Sequence, residues 1–273
     1  MTNDVADAHF EQIWKAYEDF LTGRGILSER LRLLAVIGQC STMGEEVEAE
    51  EQIRKAFASG AATPQEILEV ILQTRVYVGN PRMKRTLRRF FKVCDEAGLR
   101  REEVVSKAGP EGWDGERDLE AERPQWLATT AEFPDQERLI EKYGWKGMSI
   151  GMMMQPANFP NVMIKCDGLD EDFARAWIDV VHEGMYSRPI LSQRDRTLIM
   201  IADTISVMEL TQATYHMTNA LRLGIPPRQV LEICFHSTVH AGMPKLYSAW
   251  IFKDLCTKHG VSPTDGSGSP RRP

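Results

Sequence analysis

The hydrophobic and polar positions of this chain repeat themselves. LSERLRLLAVIG begins at Leu27 and LSQRDRTLIMIA at Leu191, an offset of 164 that also carries Ala56 to Ala220 and Gly60 to Gly224. Further along the offset becomes 163, where Glu69 meets Glu232, Gln73 meets His236, Tyr77 meets His240, Gly79 meets Gly242 and Pro81 meets Pro244. Upstream, Phe10 and Trp14 meet Phe173 and Trp177, again at 163. Two related units therefore run over roughly 10–97 and 173–259, because chance similarity does not keep register over both small and charged landmarks.

Within each unit the period is helical. In PQEILEVILQTRVYVG the apolar positions Ile67, Leu68, Val70, Ile71 and Leu72 are too dense for a strand's alternation. Thr63-Pro64 followed by Glu66 marks a helix start, and Ser28 and Ser192 stand where caps of the following apolar helices belong. No alternating Val/Ile/Thr-rich run bounded by turns occurs. The pattern predicts an all-α fold of two tandem helical repeats: a diverged first repeat over 1–105, a connector over 106–172, a second repeat over 173–260 and a disordered tail over 261–273. In the connector, GPEGWDGERDLEAERPQW is polar and reads as a surface linker. GWKGMSIGMMMQPANFPNVMIKCDGLD, rich in Met and Gly, is expected either to join the repeats by packing or to act as a flexible lid.

Composition narrows the class. The chain has 273 residues, with 33 Lys+Arg against 39 Asp+Glu and a formal charge of −6, which argues against a nucleic-acid partner. Five cysteines, widely spaced and with no C-x-x-C pair, give no disulfide framework, zinc ribbon or dithiol centre. The start, MTNDVADAHFEQ, is acidic where a secretory leader is basic and then apolar. No run approaches the roughly 20 apolar residues a bilayer requires, so a soluble, cytoplasmic protein without a membrane partner is expected.

Candidate chemistry gathers in LEICFHSTVHAGMP, residues 231–244. An α-helix turns about 100° per residue, so Glu232, His236 and His240, spaced by four, share one stripe among apolar neighbours. Glu69, Gln73 and Tyr77 do the same in the first unit. His216 stands earlier, in H-x-x-x-A-x-x-x-G, and its counterpart is Gln52, within the charge run EEVEAEEQIRK that reads as a solvated helix face. Three readings fit the Glu–His stripe: a satisfied core network, a metal site, or an acid–base pocket. The spacing is not that of H-E-x-x-H, and no Asp or Cys completes a ligand set, so no metal is assigned.

GMYSRPILSQRDRTLIMIAD (184–203) and HMTNALRLGIPPRQVLEICFHSTVHAGMP (216–244) closely resemble the carboxymuconolactone decarboxylase family, whose fold is shared with alkylhydroperoxidase D-like proteins. LSERLRLLAVIGQ with AFASGAATPQEILEVILQTRVYVGNP resembles a second, more diverged copy. The resemblance covers both units and leaves the connector out. It implies helical units that assemble six around a three-fold axis, so that a fused pair forms a homotrimer, and a lyase of aromatic catabolism that uses no metal or organic cofactor. The peroxidase branch needs an attacking and a resolving thiol, which this chain lacks. Carried over from the family are His216 and Glu232; His236 matches a variable polar position, and His240 replaces a usual Tyr that Tyr77 keeps.

The expected site is thus catalytic His216, Glu232, His236 and His240, with Arg188, Arg194, Glu69 and Tyr77 as substrate contacts. Arg188 and Arg194 are read either as attracting an acidic substrate or as helix-start and interface charges. The expected activity is decarboxylation of a carboxylated lactone or related small-molecule ring-cleavage product, or an isomerisation or hydrolysis of such a ring, in one pocket built mainly from the second unit. A non-catalytic assembly or binding protein is the remaining alternative.

Overall fold

A computed structural model describes residues 7–105 and 119–266, and within them the chain is helical with no strand. The first repeat holds α1 (Ala8–Gly23), α2 (Glu29–Met43), α3 (Glu46–Ser59), α4 (Pro64–Gln73), α5 (Arg75–Glu96) and the short α6 (Arg101–Val104). The connector adds α7 (Leu119–Thr129), α8 (Gln136–Tyr143), α9 (Trp145–Met154) and α10 (Phe159–Leu169). The second repeat holds α11 (Glu171–Trp177), which widens into π-type turns over Ile178–Tyr186, then α12 (Gln193–Ser206), α13 (Leu210–Arg222), α14 (Pro227–His240), a 3₁₀ turn (Met243–Leu246) and α15 (Tyr247–Lys258).

The expected start signals take the expected form. Ser28 Oγ accepts from Leu31 N at 3.2 Å and Ser192 Oγ from Asp195 N at 3.1 Å, while Thr63 and Glu66 close a reciprocal capping box. The paired Gly79 and Gly242 sit at φ 70° and 95°, a left-handed conformation that favours glycine. Gly79 kinks α5 at the same point where Gly242 separates α14 from the 3₁₀ turn. Tyr77 consequently stands just past α4, in the first turn of α5.

The two equivalent helices α2 and α12 pack against each other at the centre. Both are buried along nearly their whole length, and one apolar core runs across both repeats through residues such as Leu34, Ile37, Leu198 and Ile201. Thr42 Oγ1 and Ser206 Oγ, equivalent positions, meet at 2.5 Å. Gly38 makes the approach possible, since a Cβ there would lie 2.3 Å from Asp203 Oδ1.

The π-type turns explain the change in offset. Trp14 and Trp177 match at 163 whereas Arg24 and Arg188 match at 164, so the second repeat carries one extra residue where α11 widens; such turns absorb an insertion.

The first part of the connector differs from its sequence reading, and the second takes the packing alternative. Of the presumed surface linker, residues 109–118 lie outside the described residues, but α7 packs through Trp126 and Leu127 onto a second core of Leu139, Met148, Met152, Phe159 and Ile178. Apolar residues late in the stretch outweigh its polar start. The Met-rich part is a packed helix: Met148 and Met152 serve that core, and Ile150, Met153 and Met154 meet Tyr186 and Met200 of the second repeat. Of the expected disordered tail, Ser262–Gly266 instead form a turn in which Asp265 O accepts from Arg228 N at 3.2 Å, satisfying a free donor at the start of α14. Residues 267–273 lie outside the described residues.

Gly38→Ala tests the central packing. The added methyl meets a carboxylate held on a buried helix, and overpacking of this kind costs about 1–3 kcal/mol; urea unfolding should show a lower midpoint at unchanged slope.

Candidate active site

The stripe residues gather into two centres, each assembled from both repeats. In the first, Glu69 near the end of α4 is buried between two arginines of the second repeat. Arg188 Nε donates to Oε2 at 2.7 Å and Arg196 Nη2 to Oε1 at 2.7 Å. Arg196, itself 1 % exposed, also donates to Gln73 Oε1 at 3.1 Å and to the Arg188 carbonyl at 3.0 Å. Buried charges persist only when paired in this way. Gln73 passes the network on, with Nε2 3.4 Å from Asp203 Oδ2.

Above this network lie the groups able to move protons. Tyr77 OH is 3.0 Å from His216 Nε2, the rings edge to face, and 3.5 Å from Tyr186 OH. Burial pushes the His216 imidazole down to about 4, so at neutral pH the ring is uncharged, with Nδ1 unpartnered. Burial, the neighbouring Tyr186 and the Asp203 carboxyl hold the Tyr77 phenol well above its ordinary value, with Arg196 opposing. Asp203 is raised far above the usual carboxylate range by burial, and one of its oxygens has no partner. Tyr77, Tyr186 and His216 face a cavity of about 390 Å³ walled by Val76, Val181 and Trp177, with Glu209 and Gln212 at the start of α13 and Gln155 and Asn158 from the connector.

The second centre mirrors the first with exchanged side chains. Glu232, 1 % exposed, meets Arg24 of the first repeat, whose Nε lies 3.1 Å from each carboxylate oxygen but is aligned only on Oε2. His236 Nε2 is 3.5 Å from Oε1. Tyr17 OH bonds Thr238 at 2.8 Å, and the buried Gln52 donates to Glu48 at 2.6 Å. His240 is half-buried; desolvation lowers its pKa, opposed by the Glu18 and Glu48 carboxylates.

These contacts correct the expected single pocket. His216 belongs with Tyr77 and Glu69 of the first repeat, not with Glu232, His236 and His240, because the repeats meet along α2 and α12 and each stripe faces the other repeat. Glu232 therefore faces His236 and Arg24, and does not orient His216. Arg194 is exposed and bonds Gln229; Arg196, about 200° away on the helix, is the inward one. Arg188 is held by Glu69, and neither Arg188 nor Arg194 faces the cavity. Among the described residues no cluster of three or more His, Cys, Asp or Glu is arranged to hold a metal.

A comparison with family models now places the chain. The carboxymuconolactone decarboxylase model matches residues 8–92 and 171–252. The chain belongs to that family. Both matched stretches supply the first centre, with Glu69, Gln73 and Tyr77 from one and Arg188, Arg196, Asp203 and His216 from the other. Gln155 and Asn158 fall in the unmatched connector. No curated protein is similar enough to this family member to count as a match.

Several site residues escaped the sequence reading. Arg196 and Asp203 sit seven apart in an apolar helix, a same-face spacing that marks buried polar partners. Tyr186 and His182 lay outside any stripe, because the π-type turns shift their phase. His182 is enclosed by Phe159, Trp177 and Tyr186, both ring nitrogens unpartnered, and burial pushes it down to about 3.

The sign of its pH effect follows. A histidine whose folded pKa lies below its ordinary 6.5 leaves the unfolded chain binding more protons below that pH, so stability falls as pH drops from about 6.5 towards 3. Asp203, shifted upward, acts oppositely. His182→Phe should remove about 2 kcal/mol of the loss between pH 7 and pH 5, measured as the difference between variant and parent in urea unfolding at the two pH values.

Proposed function

We propose that the chain is a cofactor-independent acid–base enzyme acting on a carboxylated lactone or related ring-cleavage product, and that it removes carbon dioxide at the first centre. The observation that carries this reading is the Tyr77–His216 pair at 3.0 Å, facing a cavity beside a second phenol.

Breaking the C–CO₂⁻ bond of such a substrate leaves its electron pair in an extended enolate, and the negative charge gathers on the ring carbonyl oxygen. The Tyr77 and Tyr186 hydroxyls supply hydrogen bonds where that charge develops. The apolar wall of Val76, Val181 and Trp177 removes water from the carboxylate, whose charge disperses in the transition state. Tyr77 then gives its proton to carbon. The Tyr77 phenolate then takes a proton from water entering the cavity, while His216, neutral at working pH, holds the hydroxyl in place through Nε2. One proton is consumed and one carbon dioxide leaves.

A second reading rests on the cavity's charge. Among the described residues no cation lines it, and Glu209 does, which suits a proton shift or hydrolytic opening in a neutral lactone or cyclic enone, with Glu209 as base. Assaying carbon dioxide release against loss of enone absorbance over a panel of lactones with and without a carboxylate separates the two.

Tyr77→Phe and His216→Ala should each lower kcat by about 10²–10⁴-fold with unchanged far-UV circular dichroism. Gln52→Ala and His240→Ala, in the second centre, should leave kcat within about twofold. Equal losses in both centres would move the chemistry to Glu232, His236 and His240.

A homotrimer is also part of this reading. It is supported by the exposed Phe10, Ile13 and Phe20 along α1 and by Tyr247 and Trp250 on α15, all more than half exposed in the single chain, more apolar surface than a lone subunit ordinarily shows. Light scattering after gel filtration should give three times the 31.0 kDa chain mass.

A further inference from the structure

The connector reaches the cavity through the turn joining α9 to α10, and that turn is fastened to the helix carrying His216. Asn219, one turn beyond His216 on α13 and fully buried, accepts from Ala157 N at 2.8 Å and donates from Nδ2 to Asn158 Oδ1 at 3.1 Å. Arg222, a further turn on, donates to the Pro156 carbonyl at 3.2 Å and pairs with Glu132. The equivalent positions in the first repeat are Lys55 and Ala58, which offer no such latch.

Two amides stand on the latched turn at the cavity wall, Gln155 at 7 % and Asn158 at 4 % exposure. Asn158 spends its oxygen on Asn219, which leaves its NH₂ as the free end. Among the described residues the Gln155 amide makes no side-chain hydrogen bond, and its polar atoms stay open to the cavity it lines. The connector's part of the wall therefore offers two neutral amides, each with an NH₂ able to donate, to whatever enters.

We infer that Gln155 and Asn158 are specificity-determining residues that bind the substrate's carboxylate through neutral amide donors. This rests on the decarboxylase reading and supplies what the cavity otherwise lacks, a recognition element for an anion with no cation present. It also suits the chemistry: amide donors hold the carboxylate less firmly than an arginine would, and so oppose its loss less.

The test is calorimetric binding of a non-reacting probe, 5-oxotetrahydrofuran-3-carboxylate, beside its methyl ester. The intact protein should bind the acid. Gln155→Leu and Asn158→Leu should each weaken acid binding at least about tenfold. Gln155→Glu, nearly the same shape, should repel the acid while leaving ester binding within about twofold, a split that a merely structural role would not produce; matched thermal unfolding shows that the variants fold. If the parent binds acid and all three connector variants bind it equally well, this inference falls and the decarboxylase reading stands. If the parent binds neither probe, the carboxylated-lactone reading falls and takes the inference with it.

Discussion

A buried carboxylate that must be neutralised from another part of the chain governs this molecule. Glu69 has no exposed side-chain surface, and its two ion-pair partners, Arg188 and Arg196, both belong to the second repeat. Glu232 is almost as buried, and its arginine, Arg24, belongs to the first. A carboxylate left alone in such surroundings would cost several kcal/mol, so neither repeat can close its own polar stripe. The ion pairs thereby fix the register in which α2 meets α12, and with it which helices face each other across the two centres.

From that cross-pairing follows the asymmetry of the centres. Equivalent positions hold Tyr77 against His240, Gln73 against His236, and His216 against Gln52. In the first centre two arginines hold Glu69 and a phenol meets an imidazole. In the second, one arginine and an imidazole share Glu232, and no group across from His240 resembles His216. Identical backbone positions thus carry different proton chemistry, and drift in one centre leaves the other's network untouched because they share no side chain.

The connector adds a third constraint. It buries its own core and is fastened to the second repeat, where Asn219 and Arg222 hold its turn and the widened helix brings Tyr186 inward. One centre gains a wall and a second phenol; the other gains neither. A single inserted residue and a two-residue latch separate a walled cavity from a bare stripe.

The duplication, the helical class, the caps and the Glu–His stripes were all legible in the residues, because they depend on spacing along one chain and on short-range hydrogen bonds. Membership of the family was legible for the same reason, since its motifs lie within single helices. Which stripe faces which was not: periodicity states which face of a helix is polar and is silent on the helix that will cover it. His216 was therefore grouped with its neighbours in sequence, whereas burial of Glu69 and Glu232 pairs it with Tyr77. Arg194 and Arg196 differ by two positions and opposite faces, and only packing decides which turns inward. The connector's amides, ordinary in composition, gain meaning only because Asn219 fastens the turn that carries them beside the cavity.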